Sequence, residues 1–237
     1  MLAGVLSGKT RILDLTYPLN DKLVPWPGDT RWFEASDNAT FAKDGFFTRS
    51  FWTLEHCGTH LDAPIHFAPG QASVDQIPAQ HFFGPAVVLD VQAQGAADPD
   101  YQAPVALLDQ WESRHGTIAR GAIVLLRTGW ASRWPDAQRY RNQDPSGKMH
   151  FPGFSLSAVH RCIERGVSGL GCDTMSVEFG ASEDFALHRL SLGAGLYHLE
   201  NLSDLSGLPE SGAWLIAAPI KLQGGSGGPV RVFALLP

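Results

Sequence analysis

The stretch His56-Cys57-Gly58-Thr59-His60-Leu61-Asp62-Ala63-Pro64-Ile65-His66 packs three of the chain's nine histidines and one aspartate into eleven positions. Imidazole and carboxylate are the ligands that suit zinc, manganese or iron. The spacing constrains how they could meet. All four residues are even-numbered, so one extended strand would align them on a single face. At a rise of about 3.3 Å per residue, however, His56 and His60 would stand roughly 13 Å apart, too far for metal bonds of about 2 Å. One helix would bring His56 and His60 together but send Asp62 about 200° round from His60. The segment is therefore expected to curl. Gly58 permits backbone angles closed to other residues, and Pro64 holds Ala63 out of helical geometry. A strand ending near His56 and wrapping through Gly58-Thr59 could aim three side chains at one point. His66 would then lie close enough for proton transfer without being a ligand.

Outward from this stretch the chain reads as strands with helices between some of them. Arg11–Thr16 and Val230–Leu235 alternate apolar and polar residues, while Ala86–Val91 and Ala122–Arg127 are short β-branched apolar runs that fit buried strands. Val167–Cys172 and Trp214–Ala218 look similar. Ala106–His115 and Ser155–Arg165 carry helical spacing, the latter starting at a Ser cap, ending at Gly166, and placing Leu156, Val159, His160 and Ile163 on one face. Ser182–Leu190 is a third helical candidate, and the polar Arg139–Lys148 stretch is expected to be an exposed loop. No repeat or linker divides the 237 residues, so residues 1–237 are expected to form one α/β domain, a mixed β-sheet with packed helices.

Composition removes several function classes. The net charge is −6 and no run of Lys or Arg is present, which argues against a nucleic-acid partner. No segment approaches the roughly 20 apolar residues of a membrane span, and the N-terminus lacks the pattern of a signal peptide, so a cytoplasmic protein is the default expectation. The three cysteines, Cys57, Cys162 and Cys172, are widely spaced and suggest neither a disulfide framework nor a CxxC metal site. Cys57 lies between two candidate ligands and reads as a packing residue rather than a thiol nucleophile.

The pattern His56-x-Gly58-Thr59-His60-x-Asp62-x-Pro64-x-His66 resembles the HxGTHxDxPxH signature of the cyclase-like metal hydrolases, a family that includes bacterial kynurenine formamidases and isatin hydrolases. Further blocks carry the resemblance along the chain: Asp14-Leu15-Thr16, Pro25-Trp26-Pro27-Gly28-Asp29, LLRTGW from Leu125, FPGFS from Phe151, GCDTMSV from Gly171, and Pro229-Val230-Arg231. The resemblance implies a swivelling β/β/α fold, a homodimer or homotetramer, and an active site near the subunit interface. It also implies distant ligands, a His and a Glu twelve residues apart, a spacing that His188 and Glu200 have here; His198 is a rival for the imidazole role. Asn201 departs from the glycine that usually follows this Glu in the family. By this resemblance His56 and His60 would hold one ion, His188 a second, and Asp62 and Glu200 would bridge. Some isatin hydrolases carry an amide at the Glu200 position and bind one manganese, so the carboxylate favours two ions, zinc first and manganese as the alternative.

A pair of divalent ions would lower the pKa of a shared water and steady the oxyanion of an attacked amide. His66 would act as general base and acid, with an ordinary pKa of about 6.5, and Thr59 would support the ligands. Trp26 corresponds to a substrate-lining Trp of the formamidases, and Phe51 and Trp52 are expected to add apolar wall. The expected substrate is a small aryl amide, foremost an arylformamide such as N-formylkynurenine. Cyclic amides of the isatin type, and lactone hydrolysis or cyclisation on the same scaffold, are the alternatives.

Overall fold

A computed structural model describes residues 2–237. Strands in chain order are β1 (Ile12–Asp14), β2 (Phe33–Ala39), β3 (Thr48–Thr53), β4 (His60–Asp62), β5 (Phe83–Asp90), β6 (Gln102–Ala103), β7 (Ile123–Arg127), β8 (Gly153–Phe154), β9 (Gly169–Cys172), β10 (Tyr197–Glu200), β11 (Trp214–Pro219) and β12 (Gly227–Leu235). Helices are α1 (Leu2–Leu6), α2 (Phe41–Asp44), α3 (Gln92–Ala97), α4 (Val105–His115), α5 (Ala137–Arg141), α6 (Leu156–Arg165) and α7 (Ala186–Gly193). Among the described residues, no helix is long and apolar enough to cross a membrane.

The expected mixed sheet is present, but it closes on itself. Its order is β1-β12-β11-β5-β7-β9-β10-β4, and β4 also pairs with β12. Seven strands thus form a barrel, with β1 added to the outer end of β12. In this sheet β5, β7, β9 and β10 run parallel, and its other pairings are antiparallel. The parallel strands are joined by crossovers that carry α4, α6 and α7, as parallel neighbours require.

Alternation along the strands splits the core in two. Val88, Ile123, Leu125, Leu61, Leu199, Leu215 and Val232 belong to one buried cluster, which fills the ring. Val87, Leu89, Val124, Leu126 and Leu170 belong to another, where the ring meets Leu108 and Trp111 of α4, Ala158, Val159 and Cys162 of α6, and Leu187 of α7. Strands buried on both faces explain why these segments read as continuous apolar runs.

Two local expectations need correction. In α6 the Ser155 and Gly166 caps are as expected, with Ser155 accepting the Ala158 N–H and Gly166 at φ 66°. The buried face, however, is Ala158, Val159 and Cys162, while Leu156 is 45% exposed. Small residues let the helix lie close to the barrel, and the bulkier Leu156 is left outside. The polar stretch after Arg139 is not all exposed loop either. Its first residues belong to α5, and Tyr140 is fully buried, its hydroxyl donating to the Asp173 carbonyl.

Barrel closure depends on close backbone approach at Gly227, opposite Asp62. A Cβ there would meet the Leu61 carbonyl oxygen at 2.5 Å and His56 Cε1 at 2.6 Å. Gly227→Ala is expected to destabilise the chain by about 1–3 kcal/mol through overpacking. Gly193→Ala, where a Cβ meets nothing within 4 Å, should be neutral or mildly stabilising. Thermal melts of the two variants test this; equal melting temperatures would contradict it.

Candidate active site

Residues 54–59 carry the chain from β3 into β4, and Gly58 turns it at φ 62°. Leu23 side-chain carbons lie 2.9 Å from where a Cβ at Gly58 would sit, so both angle and space call for glycine. Ala63 leaves β4 extended at φ −81°, ψ 155°, and Pro64 opens a short 3-10 turn that ends at His66. The segment therefore curls as expected.

Strand register does the rest. In the β4–β10 pair, Asp62 lies opposite His198 and His60 opposite Glu200. Because Leu61 and Leu199 point into the ring, these four polar side chains share the outer face. Helix α7 lies over that face and contributes His188. His60, Asp62, His188, His198 and Glu200 are all buried, at 5% exposure or less. His56, half-buried, joins them from the turn, with Nδ1 2.7 Å from Asp62 Oδ1.

The hydrogen bonds on the far side of each ring fix its tautomer. His60 Nδ1–H donates to the Gly58 carbonyl (2.9 Å). That leaves the Nε2 lone pair facing Asp62 at 3.2 Å and Glu200 at 3.5 Å. His188 Nδ1–H donates to Glu178 (2.8 Å), leaving Nε2 3.5 Å from Glu200 and 3.8 Å from Asp62. Ser191 donates its one hydroxyl proton to the Leu187 carbonyl (2.7 Å). His198 Nε2–H must therefore donate to Ser191, and its Nδ1, buried without a hydrogen-bond partner, faces Asp62 at 3.5 Å. Ser226 likewise donates to Glu55 (2.6 Å), so His56 Nε2–H donates to Ser226 (2.8 Å) and Nδ1 is the free nitrogen towards Asp62.

Four imidazole lone pairs thus converge on two buried carboxylates. Lone pairs do not attract lone pairs, so the arrangement calls for cations between them. Protons can serve. Burial lowers the pKa of His60, but Asp62 and Glu200 outweigh it and push it up to about 9. His188 is likewise driven up to about 10 against burial, by Glu178 and Glu200. Burial alone would raise the Asp62 carboxyl, yet His56, His198 and His60 hold it well below the usual carboxylate range. A divalent ion competes for the same nitrogen lone pairs and carboxylate oxygens. Donor atoms of Asp62, His188, His198 and Glu200 lie within 4.8 Å of one another, as do those of His56, Asp62 and His66. The set therefore fits one or two divalent metal ions, and both His188 and the rival His198 are in it.

His66 is half-buried and stacks on His56, with ring centroids 3.9 Å apart. Its pKa is not near 6.5 as the sequence suggested. Burial lowers it to about 4, with Asp62 opposing and the neighbouring His56 adding to the drop. His66 is thus a neutral base at pH 7. Thr59 does support the site: it accepts the Tyr17 N–H and donates to the Asn201 carbonyl (2.7 Å).

A cavity of about 500 Å³ opens onto the cluster, its apolar wall including Val24, Trp26, Phe67, Met175 and Phe185. Trp26 lines this cavity. Phe51 and Trp52 are not in this wall. They lie on the two-stranded β2–β3 arm, 58% and 38% exposed, Phe51 against Phe33 and Trp52 beneath Arg31. An arm with no third layer turns both faces to solvent, so strand alternation there cannot deliver side chains to the cavity. Sequence reading missed Glu178, which receives His188 Nδ1–H, the Leu187 amide and the Ser182 hydroxyl. No spacing rule marks it, although it follows directly on the GCDTMSV block. The buried thiols Cys57 and Cys172 are pushed up by burial, Cys57 to about 11, which suits packing rather than nucleophilic roles.

The family model described as "Putative cyclase" matches residues 13–179. An isatin hydrolase from Roseibium aggregatum is 33% identical over 251 aligned residues, covering 99% of this chain and 95% of the relative. A kynurenine formamidase from Salinibacter ruber is 29% identical, covering 93% of this chain and 95% of the relative. The solved structure of isatin hydrolase A from Ralstonia solanacearum superposes with a TM-score of 0.91 at 38% identity, covering 100% of this chain and 95% of that one. With the family match spanning most of its length and hydrolases as full-length relatives, this chain belongs to the cyclase family.

Proposed function

We propose that this protein is a metal-dependent hydrolase that cleaves the C–N bond of a small aryl amide, with cyclic amides of the isatin type as its substrate class. The observation that carries the reading is the convergence of four imidazole lone pairs on Asp62 and Glu200. The substrate class rests on the isatin hydrolases matched along nearly the whole chain. The cavity supports it, because about 500 Å³ walled by Trp26, Phe67 and Phe185 suits one fused aromatic ring system. The second reading, an arylformamidase acting on N-formylkynurenine, is favoured by the kynurenine formamidase relative and by a carboxylate rather than an amide at residue 200.

In this reading His56, His60, Asp62, His188 and Glu200 hold two divalent ions, zinc or alternatively manganese. Such ions supply Lewis acidity towards water and the acyl oxygen. His66, neutral and facing the cavity, takes a proton from water on its free ring nitrogen and passes it to the leaving amide nitrogen. The C–N bond breaks, and a carboxylic acid and an amine form. Trp26 and Phe185 clamp the aryl ring and keep water from its faces. Glu178 holds His188 in one tautomer and orientation. The exposed aromatic residues of the β2–β3 arm, Phe41, Phe46, Phe47 and Phe51 among them, support the expected homo-oligomer.

Protein loaded with zinc or manganese should hydrolyse isatin, and chelation should abolish the activity until metal is restored. Metal-free protein with full activity would rule the proposal out. His66→Ala should lose about 10²–10⁴-fold in kcat while its metal content, read by elemental analysis, stays unchanged; loss of metal together with activity would make His66 a ligand instead. Glu178→Gln should weaken metal affinity about 10–100-fold, measured by competition with a chromophoric chelator.

A further inference from the structure

We propose that Arg141 is a positioning residue for the substrate: through the Pro25 carbonyl it orients the Trp26 wall of the cavity and so governs how firmly an aryl ring is held. This rests on the hydrolase reading above. Arg141 Nε–H donates to the Pro25 carbonyl at 3.0 Å, and a second guanidinium nitrogen, Nη2, donates to the same oxygen. The two residues are 116 positions apart. Among the described residues, both side-chain hydrogen bonds of Arg141 go to this one oxygen.

The turn that carries Trp26 has little else to hold it. Pro25 and Pro27 have no N–H to donate, and the Asp29 N–H is used inside the turn, on the Trp26 carbonyl. Among the described residues, the two Arg141 contacts are the only hydrogen bonds between residues 24–30 and the rest of the chain. Apolar packing secures one end, where Val24 and Pro25 are buried and Val24 joins the cluster of Tyr140 and Met175. Trp26 itself is 36% exposed, and Gly28 beyond it stands at φ 100°.

What the guanidinium holds is the peptide plane between Pro25 and Trp26, because the carbonyl of one and the nitrogen of the other share that plane. The proline rings fix φ at residues 25 and 27, and Pro27 biases Trp26 towards extended backbone. The main freedom left is rotation of the plane, and Arg141 pins it. Arg141 is well placed to do so. It ends α5 between Tyr140, whose buried hydroxyl donates to the Asp173 carbonyl, and Asn142, which turns at φ 48° and donates through Nδ2 to the His150 carbonyl (2.8 Å).

Trp26 faces Phe185, with ring centroids 6.5 Å apart and planes inclined at 47°. A flat ring in contact with two others needs about 7–8 Å between parallel faces. The indole therefore has to turn towards parallel to take an aryl ring, and the two charge-assisted hydrogen bonds behind it determine how far it turns.

The test is a double-mutant cycle on metal-loaded protein with Trp26→Ala, Arg141→Gln and the two together. The substrate is isatin or N-formylkynurenine, whichever the wild-type protein hydrolyses. Arg141→Gln should raise KM about 3–10-fold, the size of one aromatic contact. Its kcat should stay within about twofold, because the ring is gripped alike in the ground state and the transition state. In the Trp26→Ala background the same change should add no more than about 1.5-fold, since Arg141 acts through the indole. Hydrogen–deuterium exchange gives a readout independent of turnover: Arg141→Gln should speed exchange in the peptide spanning residues 21–32 and leave α7 unchanged. Additive losses overturn the proposal, as does a fall in kcat at constant KM. If wild-type protein is active but exchange of the turn is the same in Arg141→Gln, the positioning role falls and the hydrolase reading stands. If metal-loaded wild-type protein hydrolyses neither substrate, both fall.

Discussion

Strand β4 is three residues long and hydrogen-bonded along both edges, to β10 on one side and β12 on the other. Much else depends on that double pairing. It closes the barrel, and it fixes which face of β4 carries His60 and Asp62. A slip of one residue would exchange Leu61 for its polar neighbours and put a carboxylate into the apolar interior. Burying an unpaired charge there costs far more than burial of any one apolar side chain stabilises. Site geometry and fold register are therefore held by the same set of backbone hydrogen bonds.

The histidines are prepared by groups that do not touch the centre. A carbonyl at Gly58, a carboxylate at Glu178 and hydroxyls at Ser191 and Ser226 each accept a hydrogen bond from the N–H of the far nitrogen. The near nitrogens are left as acceptors. The two serines do this only because their own protons are committed elsewhere, to Leu187 and Glu55. Preparing four rings in this way concentrates electron pairs around Asp62 and Glu200 before any cation is considered. Such outer hydrogen bonds raise ligand basicity and hold ring orientation.

Much of this could be read from the sequence where the signal is local. The curl at Gly58 and Pro64, the caps of α6, the buried parallel strands and the cluster of His56, His60 and Asp62 all follow from short-range rules. His188 and Glu200 came from family resemblance, since nothing local ties residues 188 and 200 to residue 62. What escaped was long-range or depended on environment. Barrel closure is a pairing between residues 60–62 and 227–229, and three-residue strands carry too little pattern to announce it. Glu178 gains its place beside His188 from what surrounds it in space. The low pKa of His66 reflects burial, which spacing cannot report. Phe51 and Trp52 failed because an alternating strand says nothing about whether a layer will cover it.

The ring also orders events in time. On a ribosome the chain emerges N-terminal end first, and β4 appears before its partners. Its neighbours β10 and β12 lie more than a hundred residues further along. Residues 56–66 must therefore wait, with their histidines and aspartate exposed, until residues near 227 have left the exit tunnel. Pairings of such sequence separation are slow to form, and their chain segments are open to wrong partners meanwhile. The polar centre is consequently among the last parts of the molecule to exist, and an incomplete chain has no partially working version of it.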